Sequence, residues 1–223
     1  LFAGGILVFL PVLGRAFSSY EEPGAYAILS YSLKFVELPL GVGLTAFSIV
    51  LLPRLAQLFQ STRTEVEGEA VATSGFLLLF VASIAITLGL FSMTHLLSDL
   101  NLSLGKWSVD QFKQLCWLTM IGIFALPARG LTTLLQTVMN ARSDTRSSLL
   151  IYLAGLALFV PSAWWSQRAY GMNGLAWSLV ATYWVMLVLH LWVLQVRHHI
   201  GLWKVLLGLG TWRYAAAAAA GFF

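Results

Sequence analysis

The stretch Tyr31 to Pro53, YSLKFVELPLGVGLTAFSIVLLP, is an apolar run long enough to cross a bilayer as a helix. It carries two charged residues near its start, Lys34 and Glu37. A charged residue at membrane depth costs about 2.5 to 3.5 kcal/mol on insertion scales, so it usually faces a bundle interior or a water-filled cavity. Lys34 and Glu37 stand three residues apart and share one face of a helix. We therefore expect them either to pair with each other as a structural feature or to line a cavity and meet a substrate.

The same stretch contains Pro39, Gly41 and Gly43 immediately after the charges. A proline inside a helix removes one backbone donor, and its ring pushes against the carbonyl four residues earlier, here that of Phe35. Backbone groups freed in this way are tolerated in a membrane only against protein or water. These residues predict a bend, and we interpret Pro39, Gly41 and Gly43 as a hinge.

The composition defines the class of protein. Of the 223 residues, 59% are hydrophobic and 10% are charged, with a mean hydropathy of +0.82, whereas soluble domains contain about 25% charged residues. The chain is therefore an integral membrane protein. Its net charge of +4 comes from singly scattered basic residues, without a basic patch interleaved with aromatics, so we expect no nucleic-acid partner.

The hydrophobic pattern predicts an all-α, polytopic transmembrane helix bundle with seven segments. These segments are 1–14, 25–53, 71–97, 110–140, 149–165, 174–196 and one that begins near Leu202. The first and last segments are short and apolar to their ends, so we expect both termini to be cuts within spanning helices of a longer protein. In the polar connection 54–70, the early part RLAQLFQ is expected to lie at the membrane interface as a short amphipathic helix.

The connecting loops predict the orientation. If alternate loops share a side, seven basic residues lie on one side and four on the other, which favours the first side as cytoplasmic. The seven are Arg54, Arg63, Arg142, Arg146, Arg197, Lys204 and Arg213, and the four are Arg15, Lys106, Lys113 and Arg168.

The fourth segment contains a second charge at depth, Arg129, just after Pro127. Its long side chain either snorkels from the lipid face to the headgroups or lines a cavity, and the sequence leaves both open.

Catalytic and metal-binding signals are missing from the sequence. It contains no HExxH, GxSxG or Walker motif, and its one cysteine, Cys116, lies in an apolar segment. The four histidines do not form a cluster of metal ligands with suitable partners. We expect no metal, no cofactor and no enzymatic activity, although a membrane transferase or ligase acting on a lipid remains an alternative.

Four motifs in the chain resemble the MurJ/MviN family of lipid II flippases. The stretch 31–53 is similar to the family pattern YAxRLxxxPxGxxxxAxxxxLLP, and LGKWSVDQF at 104–112 resembles its GKF-type helix entry. NARSDTR at 140–146 is similar to the YAxxDTxTP turn, and GMNGL at 171–175 resembles the GxxGL start of the following helix. The order of these motifs agrees with the family over nearly the whole chain.

The resemblance implies the multidrug/oligosaccharidyl-lipid/polysaccharide exporter fold, MATE-like, with 1–200 as its C-terminal lobe of about six helices and 201–223 as the start of an additional helix. It also implies that Lys34 lines the central cavity and meets the pyrophosphate of the substrate, and that Glu37 occupies a position that is often acidic. The family more often has arginine where this chain has Lys34, and lysine lacks the two-pronged fork that suits phosphate oxygens. The family's Thr-Pro and aromatic pair are replaced here by Ser147-Ser148 and Met139-Asn140.

The leading hypothesis is a flippase of a bacterial inner membrane that moves the lipid-linked peptidoglycan precursor, with Lys34, Glu37 and Arg129 as substrate-binding residues. Its partners would be an anionic lipid-linked substrate and membrane lipids. The alternatives are a related exporter of another polysaccharide lipid or a drug, and a non-transporting membrane scaffold whose charges merely pair helices.

Overall fold

The computed structural model describes residues 2–21, 23–59, 65–100, 107–200 and 202. Within these ranges every regular element is a helix, which confirms the predicted all-α class. The elements are α1 (Phe2–Ser18), α2 (Ala25–Pro39), a π-helical segment (Leu40–Thr45), α3 (Ala46–Phe59), α4 (Glu65–Asp99), α5 (Val109–Ile123), α6 (Leu126–Ala141) and α7 (Thr145–His198). The predicted segment 201–223 lies outside the described residues except for Leu202.

The charged stretch folds as one long helix with a π-helical interruption. Pro39 ends α2, and the wider turns of Leu40–Thr45 follow directly before α3 resumes α-helical geometry. Such π segments within α-helices occur frequently at functional sites. The structure therefore shows a local widening of the helix after Pro39, and the bend expected there stays a prediction.

Three predicted boundaries were wrong. α1 continues to Ser18, so Arg15 lies in its last turn and not in a loop. α3 continues through Pro53 to Phe59, so residues 54–59 extend the spanning helix and do not form a separate interfacial one. α4 begins at Glu65, ahead of the predicted residue 71. In each case the sequence predicts that the spanning helix stops at the first polar residues, although a helix that extends beyond the hydrocarbon carries polar residues in its end turns.

The predicted fourth helix is a broken pair, α5 and α6, bent by 42°. Pro127 lies in the first turn of α6, where a proline without an N–H is tolerated. The Phe124 carbonyl at the break accepts a hydrogen bond from the Trp184 indole N–H at 3.0 Å. The break is therefore stabilised by a side chain from α7.

α7 is a helical hairpin and contains both the fifth and sixth predicted segments. Gly171 has φ 59° and ψ −142°, which is not helical, and the chain reverses there. The two ends of α7 meet, since His198 contacts Asp144 at 2.9 Å. Midway along the hairpin, a Cβ added to Gly155 would lie 2.7 Å from the Met186 sulfur, so the two halves pack closely.

By length and composition, α4 and α7 can each cross a bilayer, and the pair α5–α6 can form a further span. Because α7 folds back on itself, its 54 residues make two passes. The core is centred on α6, whose side chains Leu131, Leu134, Leu135 and Val138 are fully buried. α6 packs against α3, α4 and α7, and α1 packs along α7.

Contacts at the helix ends confirm that alternate loops share a side. At one end Arg142 pairs with Glu69 at 3.4 Å, and at the same end Asp144 meets His198. At the other end the Gln167 side chain donates to Glu21 at 2.9 Å. The first end is the one that the loop charges predict to be cytoplasmic.

Candidate functional site

Glu37 lies between two arginines from different helices. Its carboxylate is 3.6 Å from the Arg15 Nη2 of α1 and 3.9 Å from the Arg129 Nη2 of α6. The Glu37 side chain is one-third exposed, whereas that of Arg129 is only 7% exposed. One carboxylate thus ties α1, α2 and α6 together.

Lys34 lies apart from this cluster. It is exposed, and its Nζ is 5.2 Å from the centroid of the Tyr31 ring. Among the ion pairs of the described residues, Lys34 has no acidic partner. The Lys34–Glu37 pair that we considered from their spacing is therefore absent, because packing turns Glu37 towards α1 and α6.

Arg129 is a residue of the bundle interior. It is 6% exposed, and its guanidinium carbon lies 4.9 Å from the centroid of the Tyr183 ring in α7. This burial excludes the snorkelling alternative. Arg129 also lies in the first turn of α6, where the helix dipole disfavours a cation, so the charge of Glu37 compensates both its burial and its position.

Two members of this cluster were missed by sequence reasoning, Arg15 and Tyr183. Arg15 was assigned to a loop because the apolar run ends at Gly14, one residue before it. Tyr183 lies in an apolar helix, and its sequence neighbours contain no signal for a polar contact. A charged residue directly after an apolar run, as Arg15 is, could be expected to continue the helix, because helices commonly extend past the hydrocarbon.

The predicted hinge residues lie in or beside the π-helical segment. Gly41 and Gly43 are exposed, and a Cβ added to either would meet nothing within 4 Å. Neither glycine is therefore required for close packing within the described part of the chain. What these two glycines contribute is therefore the conformational freedom of their backbone.

A second polar cluster joins the two ends of the α7 hairpin. The Asp144 carboxylate accepts from the Ser147 N–H at 3.2 Å, and its other oxygen lies 2.9 Å from the His198 ring. Arg197 donates to the Ser147 hydroxyl at 2.6 Å. Burial by itself raises the pKa of Asp144, but hydrogen bonds from His198 and from the side chain and backbone of Ser147 outweigh it and hold the pKa below its ordinary value.

Metal ligation has no basis in the parts of the chain that the structure describes. Within them, no three histidine, cysteine or acidic side chains come together as a possible ion site. Cys116 is free and buried among apolar residues.

The broken and π-interrupted helices, packed as one bundle with charged groups between them, define a multi-pass membrane protein. A model of the family described as lipid II flippase MurJ matches residues 1–221. The chain belongs to this family.

Two curated relatives, both described as probable lipid II flippase MurJ, align with 146 residues of the chain, or 66% of it. The protein from Rickettsia prowazekii is 23% identical over that stretch, which is 28% of its own length. The protein from Rhizobium tropici is 30% identical over 27% of its length. These alignments cover less than a third of either relative.

The fold is similar to that of a solved structure described as lipid II flippase MurJ in an inward closed conformation. The TM-score is 0.69 with 11% sequence identity, over 96% of this chain and 50% of the other. This likeness confirms the predicted exporter-type helix bundle. It also means that the chain corresponds to about half of the solved protein.

Proposed function

We propose that this chain is the C-terminal lobe of a flippase that moves the lipid-linked peptidoglycan precursor across a bacterial inner membrane. The observation that carries this proposal is the family match over residues 1–221. Both curated relatives and the solved structure are described as lipid II flippases, which agrees with this proposal. The charged head of the substrate would enter a hydrated cavity between two lobes while its tail stays in lipid.

Lys34 is proposed to attract the substrate phosphate. It is exposed and keeps its ammonium free of carboxylates among the described residues, whereas both nearby arginines are engaged by Glu37. A lysine in a cavity wall offers a mobile point charge with three donors, which suits a phosphate that must later be released. Glu37 and Arg129 are proposed to shape the cavity from behind, with Glu37 keeping Arg129 in position.

Alternating access is proposed to arise from rocking of the lobes about the segment that contains Pro39, Gly41 and Gly43. The π-helical turns there interrupt the regular helix, and the two glycines face open space. Rigid-body rocking of one bundle against another is a general mechanism of transporters built from two such units.

The test is Lys34→Ala in the complete protein that contains this chain. Translocation of a fluorescent lipid-linked precursor in proteoliposomes should fall by about tenfold or more, because a charge-assisted hydrogen bond contributes about 1.5 to 3 kcal/mol. Lys34→Arg should retain activity, since it keeps the charge. Lys113→Ala removes another exposed lysine, in α5, and should have no effect. Normal translocation by the alanine variant would remove Lys34 from the mechanism.

A non-transporting scaffold is the second candidate, and one observation favours it. Glu37 contacts arginines of α1 and α6, as expected of a charge that pairs helices. If the charges only assemble the bundle, removing Glu37 should weaken assembly because the buried Arg129 loses its partner, whereas Lys34→Ala should leave both assembly and any translocation unchanged. Loss of translocation by a variant that still assembles would reject the scaffold.

A further inference from the structure

The Arg15–Glu37–Arg129 cluster has more positive charge and more donors than its partners satisfy. Two guanidinium groups face one carboxylate, which leaves one net positive charge in the cluster. Both ion-pair distances, 3.6 and 3.9 Å, are longer than a hydrogen bond. Among the described residues, the buried Nε atoms of Arg15 and Arg129 have no hydrogen-bond partner, so the cluster lacks acceptors.

Tyr183 adds a third unsatisfied donor at the same place. It is 2% exposed, its ring lies under the Arg129 guanidinium, and its hydroxyl has no hydrogen-bond partner in the described structure. A buried polar group without a partner costs about 1 to 3 kcal/mol, and such groups generally indicate a bound water or ion. Two of them, on Arg129 and Tyr183, lie together beside an excess cation, and this combination indicates an anion.

A small cavity adjoins these donors. Its volume is about 20 Å³, and its polar lining comes from Ser32, Arg129 and Tyr183, with Val36 and Val180 among its apolar walls. This cavity has room for one particle of about the size of water. A chloride ion fits it, whereas a phosphate ester is far too large. The Ser32 hydroxyl donates to the Leu29 carbonyl at 2.8 Å, so its proton is already committed. The donors that remain for a guest belong to Arg129 and Tyr183.

We propose that this cavity binds one monovalent inorganic anion of chloride size, held by the Arg129 guanidinium and the Tyr183 hydroxyl. The anion neutralises the extra charge of the arginine pair and supplies the missing acceptor. Arg15 contributes through its charge, and Glu37 opposes binding through its own. The site lies inside the lobe, separate from exposed Lys34, and does not depend on what the protein transports.

The direct experiment is a crystal of the complete protein grown in bromide, with anomalous scattering measured at the bromine edge. We expect a peak in the cavity between Arg129 and Tyr183. Water there in place of an anomalous peak would overturn the proposal.

Variants test the same site in solution, with thermal unfolding measured in chloride and in equal concentrations of gluconate. Chloride should raise the melting temperature of the unmodified protein in a saturable way. Tyr183→Phe should weaken chloride binding about tenfold or more, because a hydrogen bond to a charged group contributes about 1.5 to 3 kcal/mol. Glu37→Gln should strengthen it, because a competing negative charge is removed.

The matched control is Tyr152→Phe. Tyr152 is also fully buried in α7, but its hydroxyl already donates to the Gln136 side chain at 2.7 Å. This variant should keep the chloride dependence of the unmodified protein. Equal melting in chloride and gluconate, or a chloride effect that survives Tyr183→Phe unchanged, would contradict the assignment.

Discussion

At the residue scale, the ion-pair partners of Glu37 come from other helices and not from its neighbours in the sequence. Lys34 is three residues away on the same helix, yet the partners of Glu37 are Arg15 and Arg129, which come from α1 and α6. An exposed pair on one helix stabilises it by only about 0.2 to 0.5 kcal/mol. Losing the partner of the buried Arg129 charge would cost several times more. The buried charge of Arg129 therefore determines which way the Glu37 side chain points.

Asp144 joins the two ends of the α7 hairpin. It caps α7 by accepting from the Ser147 N–H and also holds His198 at the opposite end of the hairpin. Asp144→Ala should lower the free energy of unfolding by about 1 kcal/mol for the cap alone, and by more through the lost His198 contact. Thermal unfolding in detergent measures the loss, with exposed Asp110 in the first turn of α5 as the control site.

The contribution of Asp144 should depend on pH in one direction. The pKa of Asp144 is lower in the folded protein than its ordinary value of 3.8. The stability that Asp144 adds to the folded protein is therefore fully present at a pH above the ordinary pKa. It is lost as the pH falls through the lower pKa of the folded state. The difference in melting temperature between Asp144→Ala and the unmodified protein should be constant near neutral pH and shrink below pH 3.8. A difference that grows on acidification would contradict the assignment.

At the element scale, the reversal of α7 depends on two glycines. Gly171 has a φ of 59°, which side chains with a Cβ rarely adopt, and a Cβ on Gly174 would collide with the Ser166 carbonyl oxygen. Gly171→Ala should destabilise the hairpin by about 1 to 3 kcal/mol through backbone strain. Gly174→Ala should destabilise it through the collision, which no side-chain movement can relieve.

The control for both hairpin variants is Gly41→Ala, at a site where an added Cβ meets nothing within 4 Å. Its melting temperature should be unchanged or slightly raised, because alanine has a higher helix propensity than glycine. A Gly171→Ala protein as stable as the Gly41→Ala control would show that the reversal tolerates a side chain.

At the scale of the whole molecule, the π-helical segment is the proposed hinge for the motion of the lobes. Gly41→Ala combined with Gly43→Ala should slow precursor translocation by the complete protein without lowering its stability or its affinity for substrate. The physical reason is the reduced backbone freedom of alanine at two positions that packing does not constrain. Translocation rate, melting temperature and precursor binding, measured on the same preparation, separate these effects. An unchanged rate would reject the hinge.

The sequence by itself determined the class of the protein and the positions of most of its passes through the membrane. Hydrophobic runs identify spanning segments because a helix in lipid makes all its backbone hydrogen bonds within itself. A spanning segment can therefore be recognised from its own residues alone. Proline also acts locally, which is why the sequence predicts a disturbed helix at Pro39, where the structure has a π-helical segment. The ends of α1, α3 and α4 could not, because polar residues continue a helix beyond the hydrocarbon as readily as they begin a loop.

Only the tertiary structure decided which charged groups meet. Arg15, Glu37, Arg129 and Tyr183 come from four helices, and no periodicity in any one of them specifies the others. The same holds for Asp144 and His198, which are 54 residues apart and meet because α7 reverses at Gly171. Spacing along a helix determines which residues share a face. Packing determines what that face contacts, because the desolvation of a buried charge is compensated only by a partner that the fold brings to it.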